Sequence, residues 1–137
     1  MIEPSCIFNY DETNLTDDPD VKKCVFRRGV KYPERVQDST KSSISVMFCG
    51  AADGKLLPPY VVYKAEHLWD RWAAGGLKGA RYNRSKSGWF DHVTFAYWFQ
   101  STFLPFVHRL CKWVVLIGDN LASHFTESVI TGARRTM

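Results

Sequence analysis

Two apolar runs that each lead to an aspartate constrain the fold of this chain more than any other feature. Residues 6–13 contain Asp11, and residues 113–118 are followed directly by Asp119. Both runs are rich in β-branched and aromatic residues, which favour buried strands. We therefore expect Asp11 and Asp119 to lie where strands emerge at a sheet edge. Taken singly, either aspartate is more simply interpreted as an ordinary strand-end or capping residue.

A hairpin is predicted between these two runs. Residues 43–51 and 57–64 have strand-like composition, and the Asp53-Gly54 pair between them is a strong signal for a tight turn. The two strands should therefore be antiparallel.

The second half of the chain changes to helical periodicity. Residues 65–90 are glycine-rich and basic, and we predict a loop there with at most one short helical turn. From Asp91, which suits a helix N-cap, apolar residues recur at helical spacing to about Leu110, with a bend expected near Pro105. A further helix is predicted from Thr126. The pattern by itself supports a mixed sheet with a helix packed on it.

Composition is typical of one globular domain over residues 1–137. The chain is 45% hydrophobic and 15% aromatic, which is ample for a single core. It has no apolar run of 18 residues and no signal-peptide pattern, so neither a membrane span nor secretion is indicated. The four cysteines are widely spaced, and in an intracellular, reducing setting neither a zinc site nor a disulfide is expected. No small-molecule cofactor is indicated.

Charge is distributed unevenly along the chain. Residues 1–20 hold six acids and no lysine or arginine, whereas residues 21–41 hold seven bases, and residues 71–86 hold five bases and no acid. Basic stretches interleaved with aromatic residues suit contacts to phosphates and unstacked bases. From charge alone, a solvated basic surface is an equally good interpretation. The candidate nucleic-acid-binding residues are Lys22, Lys23, Arg27, Arg28, Arg81, Arg84 and Lys86.

Five short motifs occur in one order along the chain. They are Asn9-Tyr10-Asp11-Glu12-Thr13, residues 45–50, residues 54–64, residues 87–91 with the aromatic helix that follows, and residues 116–124. In this order they resemble the catalytic domain of DDE-type transposases of the pogo/Tigger/jerky kind, the DDE-1 superfamily endonuclease domain. The resemblance covers nearly the whole chain, from about Ile7 to about Ile130.

The resemblance implies a fold and a chemistry. It implies an α/β, ribonuclease-H-like mixed sheet in the order β-β-β-α-β-α, with the first and fourth strands parallel and adjacent. Asp11 and Asp119 would then be the catalytic residues and the ligands of Mg²⁺ or Mn²⁺ during DNA phosphodiester cleavage and strand transfer. Asn120 and His124 would be auxiliary groups, whereas Glu12 is expected to face outwards. DNA would be the partner and the nucleus the location.

One departure from the family pattern affects the expected activity. The third acidic residue of the family has no counterpart here, since Glu127 is the only acid after Asp119 and falls in the predicted last helix. We therefore expect a C-terminally incomplete fragment without an upstream DNA-binding domain, and with little activity by itself. The alternatives are a catalytically dead DNA-binding module and a protein-interaction module, and an uncovered sheet would favour self-association.

Overall fold

A computed structural model of the chain describes residues 2–16, 25, 27–29, 42–110, 113–119, 124 and 126–135. Its five strands are β1 (Ile7–Thr16), β2 (Ser43–Ala51), β3 (Tyr60–Lys64), β4 (Arg81–Ser85) and β5 (Val115–Ile117). The helical segments are a 3-10 turn (Pro4–Cys6), α1 (Asp70–Ala73), α2 (His92–Trp98), a π-helical turn (Phe99–Phe103), α3 (Leu104–Val107) and α4 (Glu127–Arg135).

The strands form one mixed sheet in the order β4-β3-β2-β1-β5. Strands β1 and β2 are antiparallel, as are β2 and β3, which confirms the predicted hairpin. Strand β5 pairs in parallel with β1, and β4 pairs in parallel with β3. This mixed α/β arrangement confirms the fold class, and it places the two aspartate-bearing runs side by side.

Strand β4 corrects the prediction of a loop over residues 65–90. The segment returns to the sheet after α1 through Gly75 and Gly79, both of which have positive φ. Tyr82 then stacks on Tyr63 at 6.4 Å, and the Asn83 amide donates a hydrogen bond to Tyr60 Oη at 2.9 Å. These contacts with β3 are tertiary. The local sequence, rich in glycine and charge, carries no strand pattern that reveals them.

The aromatic helix forms where it was predicted, but it is interrupted. Asp91 is its N-cap, because its carboxylate accepts a hydrogen bond from the Thr94 N–H at 2.8 Å. The expected bend is a π-helical turn just before Pro105, in which the Leu104 N–H bonds to the Phe99 carbonyl. Pro105 then lies in the first turn of α3, where its missing N–H costs little.

The core lies between one face of the sheet and this helical layer. Strand alternation turns Phe8 and Tyr10 of β1 towards the helices and leaves Asn9 and Asp11 exposed. The ring of Phe8 packs edge-on against Phe103, with centroids 5.5 Å apart. On the opposite face, Phe48 of β2 is 53% exposed. The described helices α2 and α3 therefore bury one face of the sheet around an aromatic core.

Strand β5 is shorter and less buried than residues 113–118 were predicted to be. Val115 and Leu116 are half-buried and Ile117 is 49% exposed, because β5 forms one edge of the described sheet and pairs only with β1. Strand β1 is longer than predicted and ends at Thr16. Asp11 therefore lies within β1, and the expectation that it ends a strand is wrong.

Two further expectations concern the cysteines and membranes. Cys6 is disulfide-bonded, so the prediction of unpaired cysteines is wrong for this residue. Cys49 is free and buried, and burial raises the pKa of its thiol to about 12. Within the described ranges, no helix has the length and apolar character needed to cross a bilayer.

Candidate active site and basic strand

The parallel pairing of β1 and β5 sets the two candidate metal ligands at the same level. Asn9 pairs with Ile117, the last partners in the register. Asp11 and Asp119 each lie two residues further along their segments. Neighbouring strands lie about 4.8 Å apart. The backbone register therefore brings the positions of the two aspartates level with each other on neighbouring segments.

The side chains of the two aspartates have different surroundings. Asp11 is exposed on the face opposite Tyr10, and its Oδ1 accepts a hydrogen bond from the Glu12 N–H at 2.9 Å. Asp119 is 62% exposed, and its Oδ1 lies 3.1 Å from His124 Nδ1. Among the described residues, the Asp11 carboxylate is bonded within its own strand, whereas the Asp119 carboxylate contacts the side chain of His124.

His124 lies in an aromatic pocket beside Asp119. The imidazole is 3% exposed, stacks on Phe95 with ring centroids 4.1 Å apart, and has its Nδ1 2.9 Å from Tyr10 Oη. Burial lowers the pKa of His124, although the Asp119 charge opposes this shift, so the neutral ring is favoured. Such a buried imidazole is not available to orient water or phosphate directly. It contacts the aspartate instead.

Tyr10 is the member of this cluster that the sequence analysis did not identify. Its ring lies against Gly118, where a Cβ would be only 2.1 Å from the Tyr10 ring. Burial, helped by the charges of Asp119 and Cys49, raises the pKa of Tyr10 to about 12, so its hydroxyl stays protonated at neutral pH. In the sequence, Tyr10 has only the appearance of an inward-facing strand residue.

Glu12 corrects another expectation. It shares the inward face of β1 with Tyr10 and is half-buried, and its carboxylate accepts a hydrogen bond from the Phe90 N–H at 3.2 Å. Burial raises the pKa of Glu12, and repulsion from Asp119 and Asp11 adds to the shift. Strand alternation explains the error, since neighbours in β1 must face opposite sides. Glu12 connects β1 to the start of α2.

The carboxylates of Asp11 and Asp119 are the candidate donors for a metal ion. The described part of the chain contains no group of three or more His, Cys, Asp or Glu side chains placed to hold one. Asp11 and Asp119 nevertheless offer accessible oxygen donors from neighbouring segments, and such oxygens suit hard dications. The two carboxylates fit part of a metal site. Asn120 lies outside the described residues.

The basic candidates are spread over a strand and two exposed segments. Arg81 and Arg84 are exposed and leave β4 on opposite sides, since they are three residues apart in a strand, and Lys86 is exposed just beyond it. Neither these three nor Arg27 and Arg28, which are also exposed, form a salt bridge with another described residue. Lys22 and Lys23 lie outside the described residues.

Comparison with known protein families identified a match. The profile of the DDE superfamily endonuclease family matches residues 41–136, which is more than half of the chain and includes Asp119. The chain therefore belongs to the DDE superfamily endonuclease family. Searches of curated proteins and of solved structures found no match. The family prediction is confirmed, and assignment to the pogo/Tigger/jerky branch stays a prediction. Members of the family normally use divalent metal ions.

Proposed function

We propose that this chain carries the catalytic core of a transposase-type DNA endonuclease, with Asp11 and Asp119 as its metal ligands. The observation that carries the proposal is the parallel β1–β5 register, which ends two residues before each aspartate. Membership in the endonuclease family supports the reaction class. The β1–β5 pairing supports the choice of Asp11 and Asp119 as the two ligands.

The bound dication, Mg²⁺ or Mn²⁺, would activate a water or a DNA 3′-hydroxyl and stabilise the leaving oxygen of a phosphodiester displacement. The protein's own part is to hold the acids in place. Asp119 is held through its contact with His124, and Asp11 is held in β1 by the pairing of its backbone with Phe48 of β2. With two carboxylates, we expect weak metal binding, and we expect Mn²⁺ to bind better than Mg²⁺ because Mn²⁺ is less strict about geometry.

DNA is the proposed partner of the exposed basic residues. Arg81, Arg84 and Lys86 have no acidic partner among the described residues, so their charge is available to phosphates. The contacts would be independent of sequence, because phosphates carry no base information. This DNA-dependent role also underlies our proposal of a nuclear location, which imaging of a tagged chain would test.

A DNA-binding module without cleavage is the second candidate function. The observation that favours it is the lack of a third metal-binding group in the described ranges. A protein-interaction role has narrower support, namely Phe48, which is 53% exposed on the face away from α2. The same residue supports the proposed self-association.

A metal-binding and plasmid-nicking assay tests the first proposal. Purified protein is titrated with Mn²⁺, and nicking is then measured beside Asp11→Asn and Asp119→Asn, which keep the side-chain shape and remove the charge. We expect Mn²⁺ binding to fall at least about 10-fold in each variant, with weak nicking in the unmodified protein. Asp53→Asn is the matched control, because Asp53 lies in an exposed turn and pairs there with Lys55.

One result would contradict this assignment, and another would contradict the expected weak activity. Mn²⁺ binding equal in all four proteins would remove Asp11 and Asp119 as ligands. Robust nicking that is lost in both variants would show instead that two acids suffice or that an additional group completes the site, against our expectation of weak activity.

A further inference from the structure

We infer that Tyr10 and His124 form a positioning pair that holds the Asp119 carboxylate for metal binding. The inference deepens the proposed function and rests on it for the role of the metal. The pair links the two segments that carry the aspartates. Tyr10 is the residue before Asp11 in β1, and Asp119 follows β5 by two residues.

The hydrogen-bond geometry defines how the pair works. His124 Nδ1 lies 3.1 Å from Asp119 Oδ1 and 2.9 Å from Tyr10 Oη. An ionised carboxylate only accepts hydrogen bonds, so the ring must carry its proton on Nδ1 to bond with Asp119, and Tyr10 Oη then accepts from the same N–H. The other neutral tautomer would set two acceptors 3.1 Å apart. It would also bury an Nε2–H for which the described residues supply no acceptor.

Two aromatic rings pack against the imidazole. Phe95 of α2 stacks on one face at 4.1 Å, and the Tyr10 ring meets it at 5.3 Å and 63°. Both aromatic residues are buried in the core, so the ring cannot rotate without displacing core side chains. His124 is therefore held in place by the hydrophobic core. Its hydrogen bond in turn restricts the orientation of the Asp119 carboxylate.

Burial also excludes a direct role for His124. At 3% exposure it cannot reach DNA or a metal in solvent, whereas the Asp119 side chain is 62% exposed. The hydrogen bond from His124 can therefore orient the Asp119 carboxylate from the protein side, while the carboxylate remains accessible to a metal ion. Loss of such supporting bonds typically weakens metal affinity by about 10-fold to 100-fold.

The close approach of Tyr10 and Gly118 gives the pair its second contact. There is no room for a side chain at residue 118, because its Cβ would overlap the Tyr10 ring. The ring therefore lies close beside the backbone that leads to Asp119. Tyr10 thus contacts the segment after β5 at two points, His124 through its hydroxyl and Gly118 through its ring.

Three substitutions separate positioning from packing. His124→Phe keeps an aromatic ring for Phe95 and removes the donor. His124→Asn places an amide N–H close to the position of Nδ1 and should restore part of the function. Tyr10→Phe keeps the ring and removes the hydroxyl. Thermal melting identifies any variant that does not fold.

The first measurement needs no metal. Long-range ¹H–¹⁵N spectra of histidine-labelled protein report the tautomer of each imidazole, and His124 is assigned by its absence in His124→Asn. We expect the Nδ1–H tautomer in the unmodified protein and a shift towards Nε2–H in Asp119→Ala. A predominant Nε2–H tautomer in the unmodified protein would overturn the inference.

The second measurement is Mn²⁺ binding followed by the loss of the free-ion electron paramagnetic resonance signal. We expect the dissociation constant to rise about 10-fold to 100-fold in His124→Phe, less in Tyr10→Phe, and to recover partly in His124→Asn. Unchanged binding by a folded His124→Phe would overturn the inference. If the unmodified protein binds no Mn²⁺, the proposed metal role fails, and the tautomer measurement alone decides whether His124 positions Asp119.

Discussion

The β1–β5 junction and strand β4 lie towards opposite edges of the same sheet, and they hold polar groups in opposite ways. At the junction, His124 is buried, and its Nδ1 lies 2.9 Å from Tyr10 Oη and 3.1 Å from Asp119 Oδ1. On β4, Arg81 and Arg84 are exposed and have no ionic partner in the described part of the chain.

This difference shows which of the two regions requires a fixed side-chain geometry. A buried polar group that loses its partner costs about 1–3 kcal/mol, so the junction needs a defined arrangement. An exposed arginine loses nothing by moving, so β4 supplies charge without a fixed geometry. Substitutions at the junction should therefore have large effects that depend on position, and those on β4 smaller effects that depend on salt.

The largest expected effect comes from the core beneath the junction. Phe95→Ala removes a fully buried ring that packs on Tyr10 and stacks on His124. We expect the free energy of unfolding to fall by about 3–5 kcal/mol, as measured by denaturant unfolding. Tyr97→Ala in the same helix is the control, because Tyr97 is 54% exposed. Equal losses in the two variants would show that the junction does not rest on this side of α2.

The next effect tests the contact between Tyr10 and Gly118. Gly118→Ala introduces a methyl group where the Tyr10 ring already lies, and the buried ring has little room to retreat. We expect a loss of about 1–3 kcal/mol of stability in the same unfolding assay. Gly132→Ala in α4 meets its nearest neighbour at 3.4 Å and should be neutral or stabilising, since alanine favours helix. An unchanged free energy of unfolding in Gly118→Ala would contradict the proposed close packing of Tyr10 on Gly118.

Substitution of the basic residues on and next to β4 should weaken DNA binding. We expect the combined change of Arg81, Arg84 and Lys86 to alanine to weaken binding to any duplex sequence about 10-fold or more at low salt. The slope of log affinity against log salt should become shallower by up to about 3, since three phosphate contacts are removed. Fluorescence anisotropy at several salt concentrations measures both.

Lys55→Ala serves as the control because Lys55 already pairs with Asp53. Since Arg81 and Arg84 leave opposite sides of β4, their single variants show which side faces DNA. Binding that is indifferent to the triple change would mean that this strand is a solvated surface.

The smallest effect is a pH dependence of stability due to His124. Its folded pKa lies below the usual 6.5, so the unfolded chain takes up the proton first as the pH falls. The free energy of unfolding should therefore decrease as the pH falls through 6.5 towards the folded pKa, by at most about 1.4 kcal/mol per pH unit. Glu12 has the opposite sign, because its raised pKa favours proton uptake by the folded state above 4.5.

Melting temperatures of the unmodified protein and of His124→Gln between pH 7 and pH 5 measure this contribution. The unmodified protein should lose more stability than the variant over this range. Equal pH slopes would show that burial does not disfavour the charged imidazole in the folded protein.

Local patterns predicted several elements because each depends on a short-range interaction. The Asp53-Gly54 turn gave the β2–β3 hairpin, and Asp91 gave the start of α2 through its bond to the Thr94 N–H. Strand β4 was not predicted. Its pairing with β3 depends on Tyr63 and Tyr60, which are about 20 residues away in sequence, and not on a strand pattern of its own.

Ordered motifs and apolar runs were enough to predict the family, the mixed α/β class and the choice of Asp11 and Asp119 as candidate ligands. The surroundings of these two residues became apparent only in the folded chain. The fold placed Tyr10 against Gly118 and His124, and it turned Glu12 inwards. The reason is physical: a buried polar group takes its partner from whatever the fold brings within about 3 Å, and sequence spacing does not encode that distance.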